Sequence, residues 1–116
     1  MKKSNEPFWW ALFGAGGVIS AMLIPVLLFF FGLAIPLGLV SGPGYEQLQA
    51  IIALPVIRIF LLVLISLSLL HWAHRFRFTL YDGLQVKHLN ELIATFCYGG
   101  AIIGSMAAFY ILFIIY

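Results

Sequence analysis

From Phe8 to Val40 the chain carries no ionisable side chain. An apolar run of that length cannot be folded inward by a chain this small, and hydrocarbon is the one solvent in which its outward face is not penalised. Only 9% of the 116 residues are charged and the mean hydropathy is +1.11. A soluble domain carries about 25% charged residues, so there is too little charge here to cover a water-facing surface. The chain reads as an all-α integral membrane protein. Its length allows three or four spans of about 20 residues each, which leaves no room for a soluble catalytic domain. The net charge of +2 is too small to point to nucleic acid.

Met1-Lys2-Lys3 looks like the basic start of a secretory signal. The apolar stretch behind it far exceeds the ~7–15 residues of a signal core, and no small-residue cleavage pattern leads into polar sequence. It reads as a retained first span.

The spans expected are about 9–39, 49–74 and 92–116, within a single membrane domain covering 1–116. Pro25 lies inside the first and removes a backbone donor, which predicts a bend there. Pro36 falls in its last turns, and Ser41-Gly42-Pro43-Gly44 forms a turn cluster. The second span holds Pro55 and Arg58 in its first half. The stretch Arg75–Glu91 reads as the connection to the third span, with Tyr81-Asp82-Gly83 as a turn and His88 as a solvated loop histidine. Cys97 is the only cysteine, which excludes an intrachain disulfide; in an apolar segment it serves as a small hydrophobe.

Orientation follows from the basic residues. Lys2 and Lys3 flank the first span, Arg75, Arg77 and Lys87 lie in the second connection, and the first connection has no Lys or Arg. The positive-inside rule then puts the N-terminus in the cytoplasm and the C-terminus outside. Trp9, Trp10 and Trp72 belong to one aromatic belt, and Trp9, Trp10, His71, His74 and Arg75 share one depth on the cytoplasmic side.

Lipid offers no hydrophobic gain for helix association, so close packing rests on small residues. Gly16 with Ser20, Gly17 with Ala21, and Gly100, Gly104 and Ala108 recur at four-residue spacing. Two readings stand: packing within the chain, and docking to a partner subunit.

The chemistry-bearing feature is Ser68-Leu-Leu-His71-Trp72-Ala-His74-Arg75-Phe76-Arg77, at the end of the second span. Spacing by three and four places Ser68, His71 and Arg75 on one helix face, with His74 at its edge. An ordinary span end would need only snorkelling cations, and Arg77 fits that role. The adjacent His74 and Arg75, level with tryptophans, fit a quinone site better. Imidazole donates, accepts and relays protons near neutral pH. Guanidinium stays charged and favours an anionic form of the quinone. Tryptophan supplies a planar wall with an indole donor. A second reading is haem b, with His71 or His74 as one axial ligand. A third is a small homo-oligomeric transporter, which would need a membrane-embedded carboxylate that the spans lack. Arg58 reads as a partner of Glu46.

Glu6-Pro7-Phe8-Trp9-Trp10-Ala-Leu-Phe13-Gly14-Ala15-Gly16-Gly17 resembles the start of the D subunit of bacterial fumarate reductase. Ala34-Ile-Pro36-Leu37-Gly38, Ala73-His74-Arg75-Phe76 followed by Asp82, and Cys97-Tyr98-Gly99 extend the resemblance along most of the chain. It implies a non-catalytic membrane anchor of the bacterial inner membrane that serves anaerobic respiration. It also implies partners: a second hydrophobic C subunit, an iron–sulfur B subunit, plus a flavoprotein A subunit that reduces fumarate. FAD and iron–sulfur clusters would reside only in those partners, and no haem is expected. Menaquinol would be oxidised at a shared site, to which the resemblance assigns Trp10, His74 and Arg75. The chain departs from best-known members in Phe76-Arg77-Phe78, where they carry a His-rich segment, and in having His71. The haem-bearing alternative corresponds to a succinate dehydrogenase anchor.

Overall fold

The computed structural model describes residues 3–116; Met1 and Lys2, and with Lys2 part of the basic N-terminal flank, lie outside the described residues. Three long helices form an antiparallel bundle, and the described residues contain no strand. Helix α1 spans Glu6–Phe29 and continues through a π-helical turn at Phe30–Ala34. The helix runs through Pro25 without interruption, and the irregular turn follows a few residues later. A Schellman closure ends it. Gly38 takes a left-handed φ of 70° while its N–H and that of Leu39 donate back to the carbonyls of Ile35 and Ala34. Pro36 lies in this last turn.

The second span differs from expectation at both ends. A short helix α2, Tyr45–Ala53, is separated from α3, Pro55–Leu84. Pro55 forces the preceding residue out of helical conformation; Leu54 is extended at φ −69°, ψ 125°, and Pro55 opens α3 at its first turn. Arg58 spans this break. Its Nε donates to the Ile52 carbonyl at 3.0 Å, and a terminal guanidinium nitrogen donates to the Tyr116 carbonyl at 2.7 Å. Arg58 therefore serves two main-chain oxygens, one near the end of α2 and one at Tyr116, rather than Glu46.

At its other end α3 does not stop at His74. It continues to Leu84, so Arg75, Arg77, Tyr81 and Asp82 stand on helix rather than in a loop, and Tyr81 is buried. Gln85, at φ 53°, terminates it. Thirty residues make a helix about 45 Å long, some 15 Å more than the ~30 Å hydrocarbon layer. The last third of this helix holds Arg75 and Arg77. A single 3-10 turn, Lys87–Leu89, carrying exposed His88, leads into α4, Asn90–Tyr110, which ends in a π-helical turn at Ile111–Ile115.

Helices α1 and α3 meet through glycine. A Cβ on Gly16 would collide with the Leu67 carbonyl, and one on Gly17 would come within 2.6 Å of the His71 ring. Ser20 donates to the Gly16 carbonyl at 2.6 Å and shares a 2.7 Å hydrogen bond with Ser68 across the interface. On the other side, Ala73 of α3 packs against Cys97 and Ala101 of α4, all buried. These small-residue faces thus serve packing within the chain. Trp10 of α1 touches His74 of α3, and Arg58 of α3 touches Tyr116 beyond α4. The start of the first span and the end of the second therefore lie at one end of the bundle.

Candidate functional site

Nineteen positions separate Pro55 from His74, a rise of about 28 Å along α3. His74 therefore stands one hydrocarbon thickness, ~30 Å, from the Pro55 end of α3. The site is built on rigid helix, with α1 and α3 held in register by the glycine contact one turn deeper.

The aromatic framework is continuous. Phe13 stands at its centre, half-buried, with ring centroids 5.7 Å from Trp10, 4.7 Å from His74 and 4.4 Å from His71. Trp10 meets His74 edge-on at 5.9 Å, and Phe78 meets His74 at 5.0 Å. Edge-to-face packing of this kind fixes ring planes as well as positions. Trp9 pairs instead with Phe8, at 5.5 Å.

Two clefts open on either side of this framework. One, about 530 Å³, is lined by Trp10, Phe13, His74, Arg75, Phe78, Thr79, Asp82 and Gly83. It brings together the three residues expected from the sequence: Trp10 from α1, and His74 and Arg75 from α3. The other, about 400 Å³ and more enclosed, is lined by Glu6, Trp9, Trp10, Phe13, Leu70, His74 and Tyr98. Trp10, Phe13 and His74 form the partition between them.

The polar groups divide by whether the fold already uses them. His71 Nδ1 lies 3.0 Å from the Phe13 carbonyl, and its ring stacks on Phe13 at an interplanar angle of 16°. With Gly17 against its edge, His71 is enclosed between helices and lines neither cleft. Arg77 is an interhelical tie rather than a snorkelling anchor. It donates to the Tyr81 hydroxyl at 3.2 Å and to Asn90 Oδ1 at 2.9 Å, with its guanidinium 5.4–5.7 Å from the Phe78, Tyr81 and Tyr98 ring centroids. Arg75 is exposed on the cleft, and among the described residues its guanidinium has no hydrogen-bond partner. His74 Nδ1 is 2.9 Å from the Tyr98 hydroxyl, leaving Nε2 for a ligand.

The family profile described as the fumarate reductase D subunit matches residues 1–113. The chain belongs to this family. Relatives named as the D subunit of fumarate reductase in Mycobacterium tuberculosis and Mycobacterium bovis are 48% identical over 107 residues, which covers 92% of this chain and 86% of theirs. One of the same name from Shewanella putrefaciens is 38% identical over 110 residues, covering 92% of this chain and 88% of its own. As a member of this family with three helices long and apolar enough to cross a bilayer, the protein is an integral membrane protein.

Three residues of the site carry no sequence signal strong enough to mark them as members. Phe13 belongs to the N-terminal motif and lies one turn after Trp10 on the same helix, and neither assigns it a role. Glu6, at the mouth of the smaller cleft, belongs to the N-terminal motif without a role that the motif spells out. Tyr98 falls in the Cys97-Tyr98-Gly99 motif, which assigns it no role; it reaches His74 because small Cys97 and Ala101 let α4 close on Ala73.

Proposed function

We propose that this chain anchors a fumarate reductase on the cytoplasmic face of the bacterial inner membrane and supplies one wall of its menaquinol site. In this reading the chain is non-catalytic. A flavoprotein subunit reduces fumarate, and electrons reach it through an iron–sulfur subunit. The clefts that this chain leaves open are closed by a second hydrophobic subunit. The N-terminus faces the cytoplasm, as do the overrun of α3 and its basic residues Arg75, Arg77 and Lys87.

The observation that carries the reading is the cleft shared by Trp10, His74 and Arg75 at the membrane-exit depth of α3. Its volume lies within the ~300–1,000 Å³ range of ligand pockets. Its donor set suits a flat, two-carbonyl ring: an aromatic wall at Trp10 and Phe13, one uncommitted guanidinium, and one imidazole nitrogen. Bound menaquinol would supply two protons to the aqueous side and two electrons to the iron–sulfur subunit. Arg75 holds an oxygen through a charge-assisted hydrogen bond and disfavours its reprotonation. His74 takes up a proton at Nε2, and Trp10 and Phe13 hold the ring plane. The isoprenoid tail leaves into lipid at the same depth. The haem-bearing alternative finds no support at His71, whose packing between Phe13 and Gly17 leaves no room for a porphyrin.

Arg75→Leu is the test. The variant complex assembles, since Arg75 holds nothing among the described residues of this chain. Its menaquinol-linked fumarate reduction falls by about 10- to 100-fold, the equivalent of one lost hydrogen bond to a charged group. Turnover equal to that of the parent complex would sink the assignment of Arg75 to the site.

A further inference from the structure

We propose that Tyr98 is a positioning residue for His74, holding the imidazole in the orientation that serves the quinol; this rests on reading the Trp10–His74–Arg75 cleft as the quinol site. Among the described residues nothing else restrains that ring by hydrogen bonding. Its neighbours Trp10, Phe13 and Phe78 are aromatic and pack on it without bonding its nitrogens. Only the Tyr98 hydroxyl, 2.9 Å from Nδ1, distinguishes one ring orientation from its flip. A phenol suits the position because it is both donor and acceptor. It donates to Nδ1 when that nitrogen is bare and accepts from Nδ1–H when the ring carries its proton there. For Nε2 to take up a proton the neutral ring must carry its own on Nδ1, so Nδ1–H donates to the phenol oxygen before and after uptake and the contact survives the step. This is the arrangement of a base oriented by a third group.

Tyr98 is itself held. It is half-buried on α4 next to buried Cys97, and the Arg77 guanidinium stands 5.7 Å from its ring centroid. Arg77 in turn is fixed by Tyr81 and Asn90. The connected set runs from the loop-proximal start of α4, through Arg77 and Tyr98, to His74 at the cleft. It gives α4, which contributes no side chain to the larger cleft, a means of controlling the geometry there.

The experiment uses the assembled membrane complex with nitrogen-15 histidine, comparing parent, Tyr98→Phe and His74→Asn. Tyr98→Phe keeps the ring and removes only the hydroxyl, and co-purification of the partner subunits reports that the fold is retained. With no quinone added, the His74 nitrogen signals, identified by their loss in His74→Asn, shift and broaden in Tyr98→Phe. Quenching of a fluorescent hydroxyquinoline N-oxide, used as the quinol-site probe, gives a dissociation constant about three- to tenfold weaker, as one neutral hydrogen bond predicts. Quinol-linked kcat falls by a similar factor. Unmoved nitrogen signals and unchanged probe affinity in Tyr98→Phe, with both probe binding and turnover lost in His74→Asn, overturn the role of Tyr98 alone. Unchanged turnover and probe binding in His74→Asn overturn the quinol-site reading itself. Should Tyr98→Phe fail to assemble, fluorotyrosine at position 98 keeps the hydroxyl and makes it more acidic. The His74 nitrogen signals then move in an intact complex, and their failure to move overturns the inference.

Discussion

Gly17→Ala is the substitution whose effect follows most directly from the packing of α1 on α3. The added Cβ would lie 2.6 Å from His71 Cε1 and 2.9 Å from Nδ1. Ordinary carbon–carbon contact is about 3.5–4.0 Å, so the ring must retreat by about 1 Å. It has nowhere to go at no cost. Nδ1 is bonded to the Phe13 carbonyl at 3.0 Å and the ring lies on Phe13 at 4.4 Å. Moving it loses a hydrogen bond worth about 1 kcal/mol or separates the helices, and overpacking of this kind costs about 1–3 kcal/mol. His71→Ala by itself loses the bond and the stacking, about 1–2 kcal/mol. It leaves no orphan group, because the Phe13 carbonyl keeps its own helical position. In the double variant the clash has no partner, so its cost should match that of His71→Ala alone, a coupling of about 1–3 kcal/mol.

The assay is unfolding of the full chain in lipid bicelles by added SDS, followed by tryptophan emission. Trp9, Trp10 and Trp72 are the only tryptophans, and Trp10 contacts Phe13, on which the His71 ring stacks. If the two single costs simply add, within ~0.5 kcal/mol, the ring does not rest on Gly17 and the enclosed role assigned to His71 is wrong.

Two further outcomes follow from the polar contacts. Arg58→Leu strips partners from the Ile52 and Tyr116 carbonyls; stability should drop by about 1–3 kcal/mol in the same titration, while quinol-linked turnover in the complex, at a site roughly 24 Å away along α3, stays within about twofold. Ser20→Ala and Ser68→Ala should each cost about 0.5–1 kcal/mol. The pair together should cost less than the sum, because each serine loses the same 2.7 Å bond; strict additivity measured in the double variant would show that the hydroxyls do not meet.

The grouping of Trp10 with His74 and Arg75 is legible because helical depth can be counted: α1 starts and the second span ends at the same level, and rise per residue does the rest. The end of α3 is hidden for an equally physical reason. Charges at Arg75 and beyond mark where water begins, and a solvent boundary looks like a helix end in a hydropathy pattern. Backbone hydrogen bonding does not stop there. Thr79, donating to the Arg75 carbonyl at 3.0 Å, and Tyr81 continue the coil until Gln85 turns left-handed. The break at Pro55 has a readable cause in the restriction proline puts on Leu54, masked by the unbroken hydropathy on either side. Tyr98 is legible as part of a motif but its contact with His74 is not, since that depends on which face α4 turns to α3.

In a bilayer every polar group must find a partner within the protein or at the interface, and this requirement separates structure from function in the present chain. Ser20, Ser68, His71, Arg58 and Arg77 are all engaged with carbonyls, hydroxyls or an amide of the chain itself. Among the described residues Arg75 is not, and Nε2 of His74 is left over once Tyr98 has taken Nδ1. These two open groups lie on adjacent residues, at one cleft. A guanidinium held there without an internal partner gains its full interaction only when something else arrives, either a headgroup or the oxygen of a bound ring. On the proposed reading it is the flat ring that the aromatic walls at Trp10 and Phe13 favour over the flexible headgroup, because a planar ligand retains its stacking contacts without first losing chain entropy.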